Sequence, residues 1–97
     1  MTNITQQANE WRVSGDVLMD NANAILSQSN AFLMDDAIKI DFSEVTDVDT
    51  AALSLIMEWK RRAIASSCNV TFTNLPANLT SLAMLYGVTD FIPISTS

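Results

Sequence analysis

The run from Ile40 to Leu53, IDFSEVTDVDTAAL, constrains this chain most. An apolar stretch closes at Phe42, an acidic stretch follows, and Asp49-Thr50 opens a second apolar stretch with helical spacing. The pattern predicts a buried strand from Ala37 to Phe42, a short acidic loop, and a long helix from about Thr50 to Ala65. An Asp at the step suits a helix start, because its carboxylate can accept from the unpaired amides of the first turn. A strand handing over to a helix is half of a βαβ unit, which commits the chain to a sheet with parallel neighbours.

The flanking segments extend the same architecture. Ile4 to Gln7 and Trp11 to Ser14 read as a hairpin with its turn near Ala8-Asn9. Gly15-Asp16 breaks that pattern, and Val17-Leu18-Met19 is a short apolar entry to a first helix. Asp20 is the expected N-cap of that helix, which runs from about Asn21 to Leu33 and places Ile25, Leu26, Ser29 and Phe32 on one face. Asp35-Asp36 then makes a turn. After the second helix come a strand from Val70 to Thr73 and a third helix with Pro76 in its first turn. That helix carries Leu79, Leu82, Ala83 and Tyr86 on its apolar side, and Gly87 is its natural C-cap. Phe91 to Ile94 reads as an edge strand or tail, with Pro93 keeping it from the sheet centre. The fold class is α/β: one domain over residues 1–97, with a small mixed, mostly parallel sheet, an N-terminal hairpin, and three or four helices packed against it.

Angles around the second helix separate a core from a surface. At 100° per residue, Leu53, Ile56, Met57, Ala63 and Ile64 share the predicted core arc. Thr50, Ser54, Glu58 and Arg61 form a column on the opposite side, bordered by Ala51 and Arg62. Such a column is either a solvated face or a continuous surface that a partner reads. Leu55 lies outside the arc and Trp59 at its edge. The pair is either an exposed interface anchor or is covered by the first helix or the C-terminal tail.

Composition narrows the chemistry. Eleven acids against five bases give a net charge of −6, which excludes a phosphate-backbone partner and disfavours an anionic membrane surface. Lys60-Arg61-Arg62 reads as a solvated helix end. No apolar run approaches the roughly 18 residues of a membrane span, and the N-terminus lacks the features of a signal peptide, so a cytoplasmic location is expected. The chain has no histidine, a single cysteine and two widely separated glycines, so no base–nucleophile pair or glycine-rich phosphate cradle is expected. Cys68 reads as a small buried hydrophobe. Asp41, Glu44, Asp47 and Asp49 lack the glycine of a calcium loop and read as a solvated loop with a helix cap; no metal or cofactor is expected. With 48% hydrophobic and only 16% charged residues, some apolar surface should remain open to a protein partner.

Asp49-Thr50-Ala51-Ala52-Leu53 resembles the Asp-Ser-Ser/Ala-Gly-Leu pattern of the STAS family, named for sulfate transporters and anti-sigma-factor antagonists, with Ala52 in place of the usual glycine. Ser81 to Val88, with Phe91-Ile92-Pro93 close behind, resembles the C-terminal part of MlaB-type members. The resemblance implies a non-catalytic subunit that docks on the ATPase subunit of a Mla-type ABC transporter for phospholipids and supports its assembly and activity. Contact with the inner membrane is then only indirect, at its cytoplasmic face, with no direct lipid or small-molecule substrate. Asp49 and Thr50 belong by this resemblance to the partner-facing loop. With the helix column they give a partner-binding set of Asp49, Thr50, Ala51, Ala52, Ser54, Leu55, Glu58, Trp59 and Arg62. The alternative within the family is an anti-sigma-factor antagonist switched by phosphorylation at Thr50. A third class, a small phosphotransfer or nucleotide-binding enzyme, is opposed by the missing histidine and glycine-rich loop.

Overall fold

A computed structural model of the chain describes residues 3–32, 34, 37–88 and 94–95. Along them run β1 (Asn3–Gln7), β2 (Glu10–Val17), α1 (Ala22–Ser29), β3 (Ala37–Val48), α2 (Thr50–Ala65), β4 (Asn69–Thr73), α3 (Ala77–Leu85) and β5 (Ile94–Ser95). The strands form one sheet in the order β1-β2-β3-β4-β5. β1 and β2 are antiparallel around Ala8-Asn9, where Ala8 takes φ 56°, and every later neighbour is parallel. Each helix crosses over by one strand in the same direction. Crossovers of a single hand put all three helices on one face of the sheet. α2 lies between α1 and α3. The α/β class, the hairpin and the mostly parallel sheet match the sequence reading, with three helices among the described residues.

The largest departure is β3. Its pairing with β4 ends at Asp41↔Thr73, but its pairing with β2 continues to Val17↔Val48, so the segment expected as an acidic loop is strand. Two register shifts explain why its sequence did not alternate. Between the pairs Arg12↔Asp41 and Ser14↔Glu44, β3 carries one residue more than β2; between Gly15↔Val45 and Asp16↔Asp47 it does so again. Each extra residue moves the next inward side chain from position i+2 to i+3. Phe42, Val45 and Val48 therefore face the core, while Ser43, Glu44, Thr46 and Asp47 are exposed. Gly15, at φ 85°, lets β2 bend opposite the second bulge, so Gly15-Asp16 does not end that strand.

Ile38, Ile40 and Phe42 of β3, Trp11 and Val13 of β2 and Phe72 of β4 supply the sheet side of the core. A chain of edge-to-face aromatic contacts threads it. Phe32 meets Trp11 at 5.2 Å between ring centroids, Trp11 meets Trp59 at 5.8 Å, Trp59 meets Phe42 at 6.4 Å, and Phe42 meets Phe72 at 6.3 Å. Each such pair adds about 0.5–1.5 kcal/mol beyond simple burial. Together they join α2 and the residue row after α1 to three strands. Cys68 is buried, as expected of it.

Helix ends also differ in detail from the sequence reading. α1 starts one residue later than expected, with Asn21 rather than Asp20 at the cap position, and Leu33, Asp35 and Asp36 lie outside the described residues. Pro76 stands at the N-cap position of α3, just outside the helix, with no side-chain capping bond. α3 closes with Gly87 at φ 67°: Gly87 N–H donates to Met84 O at 3.1 Å and Val88 N–H to Ala83 O at 2.9 Å, the paired bonds of a Schellman motif. Tyr86, expected on the core side, is 59% exposed. Of the expected C-terminal strand, Ile94 pairs with Phe72, and residues 91–93 lie outside the described residues.

Candidate functional site

α2 opens where β3 ends, and Asp49 sets the geometry of that junction. Its backbone is extended (φ −133°, ψ −166°), and Oδ1 accepts from Ala51 N–H at 2.8 Å, which caps the helix. Its second oxygen accepts from Met19 N–H at 3.0 Å, tying the turn between β2 and α1 to the same point. Asn21 fixes the rest of that turn, accepting from Leu18 N–H at 2.8 Å and donating to Asp16 O at 3.1 Å. The capping work is thus done by Asp49. Thr50 is left exposed in the first turn, and its hydroxyl makes no hydrogen bond among the described residues.

Three open grooves meet at Thr50. One, of about 330 Å³, runs between α1 and α2 past Met19, Leu26, Ser54 and Glu58. A second, of about 560 Å³, runs between α2 and the end of α3 past Leu53, Met57, Tyr86 and Val88. The third, also about 560 Å³, passes Val48 and Asp49 toward Asn78, Leu82 and Leu85 of α3. The column below Thr50 is as predicted: Ser54 and Arg61 are exposed, and Glu58 is half-buried and ion-paired with Arg61. Ala51 is half-buried and lines the first groove.

Four of the expected partner-binding residues serve the fold instead. Ala52, Leu55 and Trp59 are buried, at 0%, 3% and 0% exposure: Trp59 packs on Trp11 and Phe42 of the sheet, and Leu55 lies at the groove between α1 and α2. Trp59 Nε1–H donates to Ser29 Oγ at 2.9 Å, and Ser29 Oγ–H donates to Leu26 O at 2.7 Å, so the indole is anchored to α1. Arg62 donates to Ser29 O at 2.7 Å and to Phe32 O, and its guanidinium lies 5.7 Å from the Trp11 ring centroid. It holds the last carbonyl of α1 and that of Phe32 beyond it, where a cation also meets the negative helix end. The core arc of α2 is accordingly turned by roughly 70° from the one read by periodicity, and Ile64 is 69% exposed. Apolar residues on α2 exceed the positions its neighbours can cover, and periodicity within α2 does not register where α1 packs.

Asp41 was expected in a solvated loop, but it is buried on the face of β3 opposite Ile40 and Phe42. Its carboxylate accepts from Asn74 Nδ2 at 2.9 Å, Ser43 N–H at 3.0 Å, Ser43 Oγ at 2.8 Å and, more weakly, Thr73 Oγ1 at 3.4 Å; Arg12 Nε lies 3.5 Å away. Burial alone would raise its pKa. The donated hydrogen bonds of Asn74 and Ser43, with the Arg12 charge, outweigh burial and hold it below the ordinary carboxylate value. It stitches β2, β3 and β4 together and takes no part in the Thr50 grooves. Asp47 accepts from its neighbour Val48 N–H at 3.0 Å. The described residues contain no cluster of His, Cys, Asp or Glu arranged to hold a metal ion.

The family model described as "Mlab, STAS domain" matches residues 1–93. The chain belongs to the STAS family. Two solved structures are similar to this STAS domain over its whole length. One is an anti-sigma factor antagonist from Mycobacterium paratuberculosis, with a TM-score of 0.77, 17% identity and 86% of that chain covered. The other is the anti-sigma factor antagonist SpoIIAA in its unphosphorylated form, with a TM-score of 0.73, 13% identity and 90% of that chain covered. At these identities the likeness is one of fold. No curated protein matches the sequence. STAS domains generally act by binding and regulation through protein–protein contacts. No described helix of this one is long and apolar enough to cross a membrane.

Proposed function

We propose that this STAS domain is a non-catalytic, cytoplasmic binding subunit that docks on the ATPase subunit of a Mla-type phospholipid-transport ABC complex and supports its assembly and activity. The Mlab description of the matching family supports that partner. The observation that carries the docking site is the division of labour at the start of α2. Asp49 satisfies the helix cap, and the Thr50 hydroxyl, with no hydrogen bond among the described residues, is exposed where three grooves converge. A hydroxyl that contributes little to the fold is available to a partner. The partner-reading set is then Asp49, Thr50, Ala51, Ser54 and Glu58. The grooves are open and the domain is thin, which suits a protein surface better than a lipid or small-molecule substrate. The test is titration calorimetry with the purified ATPase subunit: binding by the parent, weakened by Ser54→Arg at unchanged melting temperature, supports the reading, and absence of binding by the parent refutes it.

A second reading is favoured by the two similar structures, both anti-sigma factor antagonists. A phosphate on Thr50 would meet the positive end of α2, although Asp47 and Asp49 lie beside it. Tight binding to a kinase-type anti-sigma factor, released on phosphorylation of Thr50, would select this reading over the first.

A further inference from the structure

α3 is apolar around most of its circumference, yet it lies at the surface. A helix of that composition is ordinarily buried. Met84, Leu85 and Tyr86 are 71%, 76% and 59% exposed, and Met19 is 72% exposed across the start of α2. Among the described residues, four of the five large apolar side chains most open to solvent therefore belong to these two sites, and Met19, Leu85 and Tyr86 each line a groove that contains Thr50. Met19 is not left there by a loose turn, because the Asp49 carboxylate accepts from its N–H and the Asn21 side chain accepts from the N–H of the preceding Leu18.

Carboxylates line the grooves between these apolar points, and Arg61, which lies outside the linings, is ion-paired with Glu58. Among the described residues the three grooves are lined by Asp49 and Glu58 and by no lysine or arginine, on a chain of net charge −6. Two copies meeting through this surface would bring the same acids together, which opposes a symmetric dimer. An anionic bilayer would be repelled. A protein segment that is apolar at two points and basic between them meets both conditions.

We propose that Met19 and the Leu85–Tyr86 end of α3 are the two apolar contact points of one docking surface around Thr50, and that its occupant is a protein segment with a lysine or arginine facing Glu58 between two apolar side chains. This rests on the reading of Thr50 as the centre of a protein-docking site and adds to it α3 and the chemistry of the occupant.

The experiment is selection of a displayed library of random 15-residue peptides on the purified domain, followed by affinity measurement of the enriched peptides. Enrichment of peptides with a basic residue between apolar ones is expected. Their affinity should fall about tenfold or more in Met19→Ser and in Leu85→Ser. It should weaken in Glu58→Gln and at high salt, and stay unchanged in Ile64→Ser, an exposed apolar residue outside the grooves. No enrichment, enrichment of acidic or uncharged peptides, or equal binding to Met19→Ser and Leu85→Ser would overturn the proposal. So would self-association of the parent in sedimentation, or binding to vesicles of phosphatidylglycerol and phosphatidylethanolamine, that is lost in the same two variants. Peptide binding with no ATPase binding would leave this surface standing and remove the partner named above; ATPase binding indifferent to both variants would do the reverse.

Discussion

Removing the Asp41 carboxylate should destabilise the domain without touching the Thr50 surface. In Asp41→Ala, Asn74 and Ser43 lose their shared acceptor, Thr73 is left with a buried hydroxyl, and Arg12 loses its anion. Asn74 and Ser43 are exposed and can turn to water, so the loss is smaller than a sum over bonds. About 2–4 kcal/mol is expected, or a fall of roughly 10–20 °C in melting temperature for a domain this size. Asp41→Asn keeps the shape and one acceptor and should cost about 1–2 kcal/mol. The pH dependence separates the charge from the shape. The folded-state pKa of Asp41 lies below its ordinary value of 3.8. A depressed pKa means that its stabilisation is fully present above about pH 4 and is lost as the pH falls through the folded value. The gap between the parent and Asp41→Asn should therefore be widest near neutrality and narrow below about pH 4. Urea unfolding of both proteins at pH 7, 5, 4 and 3 measures it. A gap that stays constant to pH 3, or a loss under about 0.5 kcal/mol in Asp41→Ala at pH 7, would refute the claim that this carboxylate ties three strands together.

Other variants probe the residues that the structure moved from the surface to the core. Leu55→Ala should cost about 2–4 kcal/mol in unfolding free energy, as a cavity under α1 does, whereas an exposed interface anchor at that position would cost almost nothing. Arg62→Ala should cost about 1–3 kcal/mol by freeing the Ser29 and Phe32 carbonyls, and its loss should be seen as faster amide exchange in α1. Gly87→Ala meets no atom within 4 Å, so only the positive φ resists it, and a loss near 1 kcal/mol in thermal unfolding is expected.

Element type and order were legible because the signals were local. The Asp49 cap, the 3.6-residue period of α2 and the Pro76–Gly87 bracket of α3 each reside in a few neighbouring residues. The Thr50 position was legible for the same reason. What escaped was non-local. The three-residue spacing of Phe42, Val45 and Val48 becomes strand only through bulges opposite β2, and read alone it resembles loop. The sides of α2 that face α1 and solvent depend on where Trp59 meets Ser29 and where Arg62 meets the Ser29 carbonyl, contacts thirty or more residues apart. Asp41 was grouped with Glu44, Asp47 and Asp49 by sequence, but its donors Arg12, Thr73 and Asn74 come from neighbouring strands and the turn after β4. Met19 carried no sequence signal for the site, since its place beside Thr50 depends on the reach of Asp49 across the β2–α1 turn.

Whether a protein partner packs on the exposed hydroxyl of Thr50 is decided by the affinity of Thr50→Glu for the ATPase subunit. The carboxylate sits at a favourable helix end beside Asp47 and Asp49, so the melting temperature should barely change. Enclosed in an interface already lined by Asp49 and Glu58, it would be an unpaired buried charge costing several kcal/mol. Loss of detectable binding is expected in Thr50→Glu and a smaller weakening in Thr50→Ala, with both variants folded as the parent. Parent-like affinity in Thr50→Glu would contradict a partner packed on Thr50.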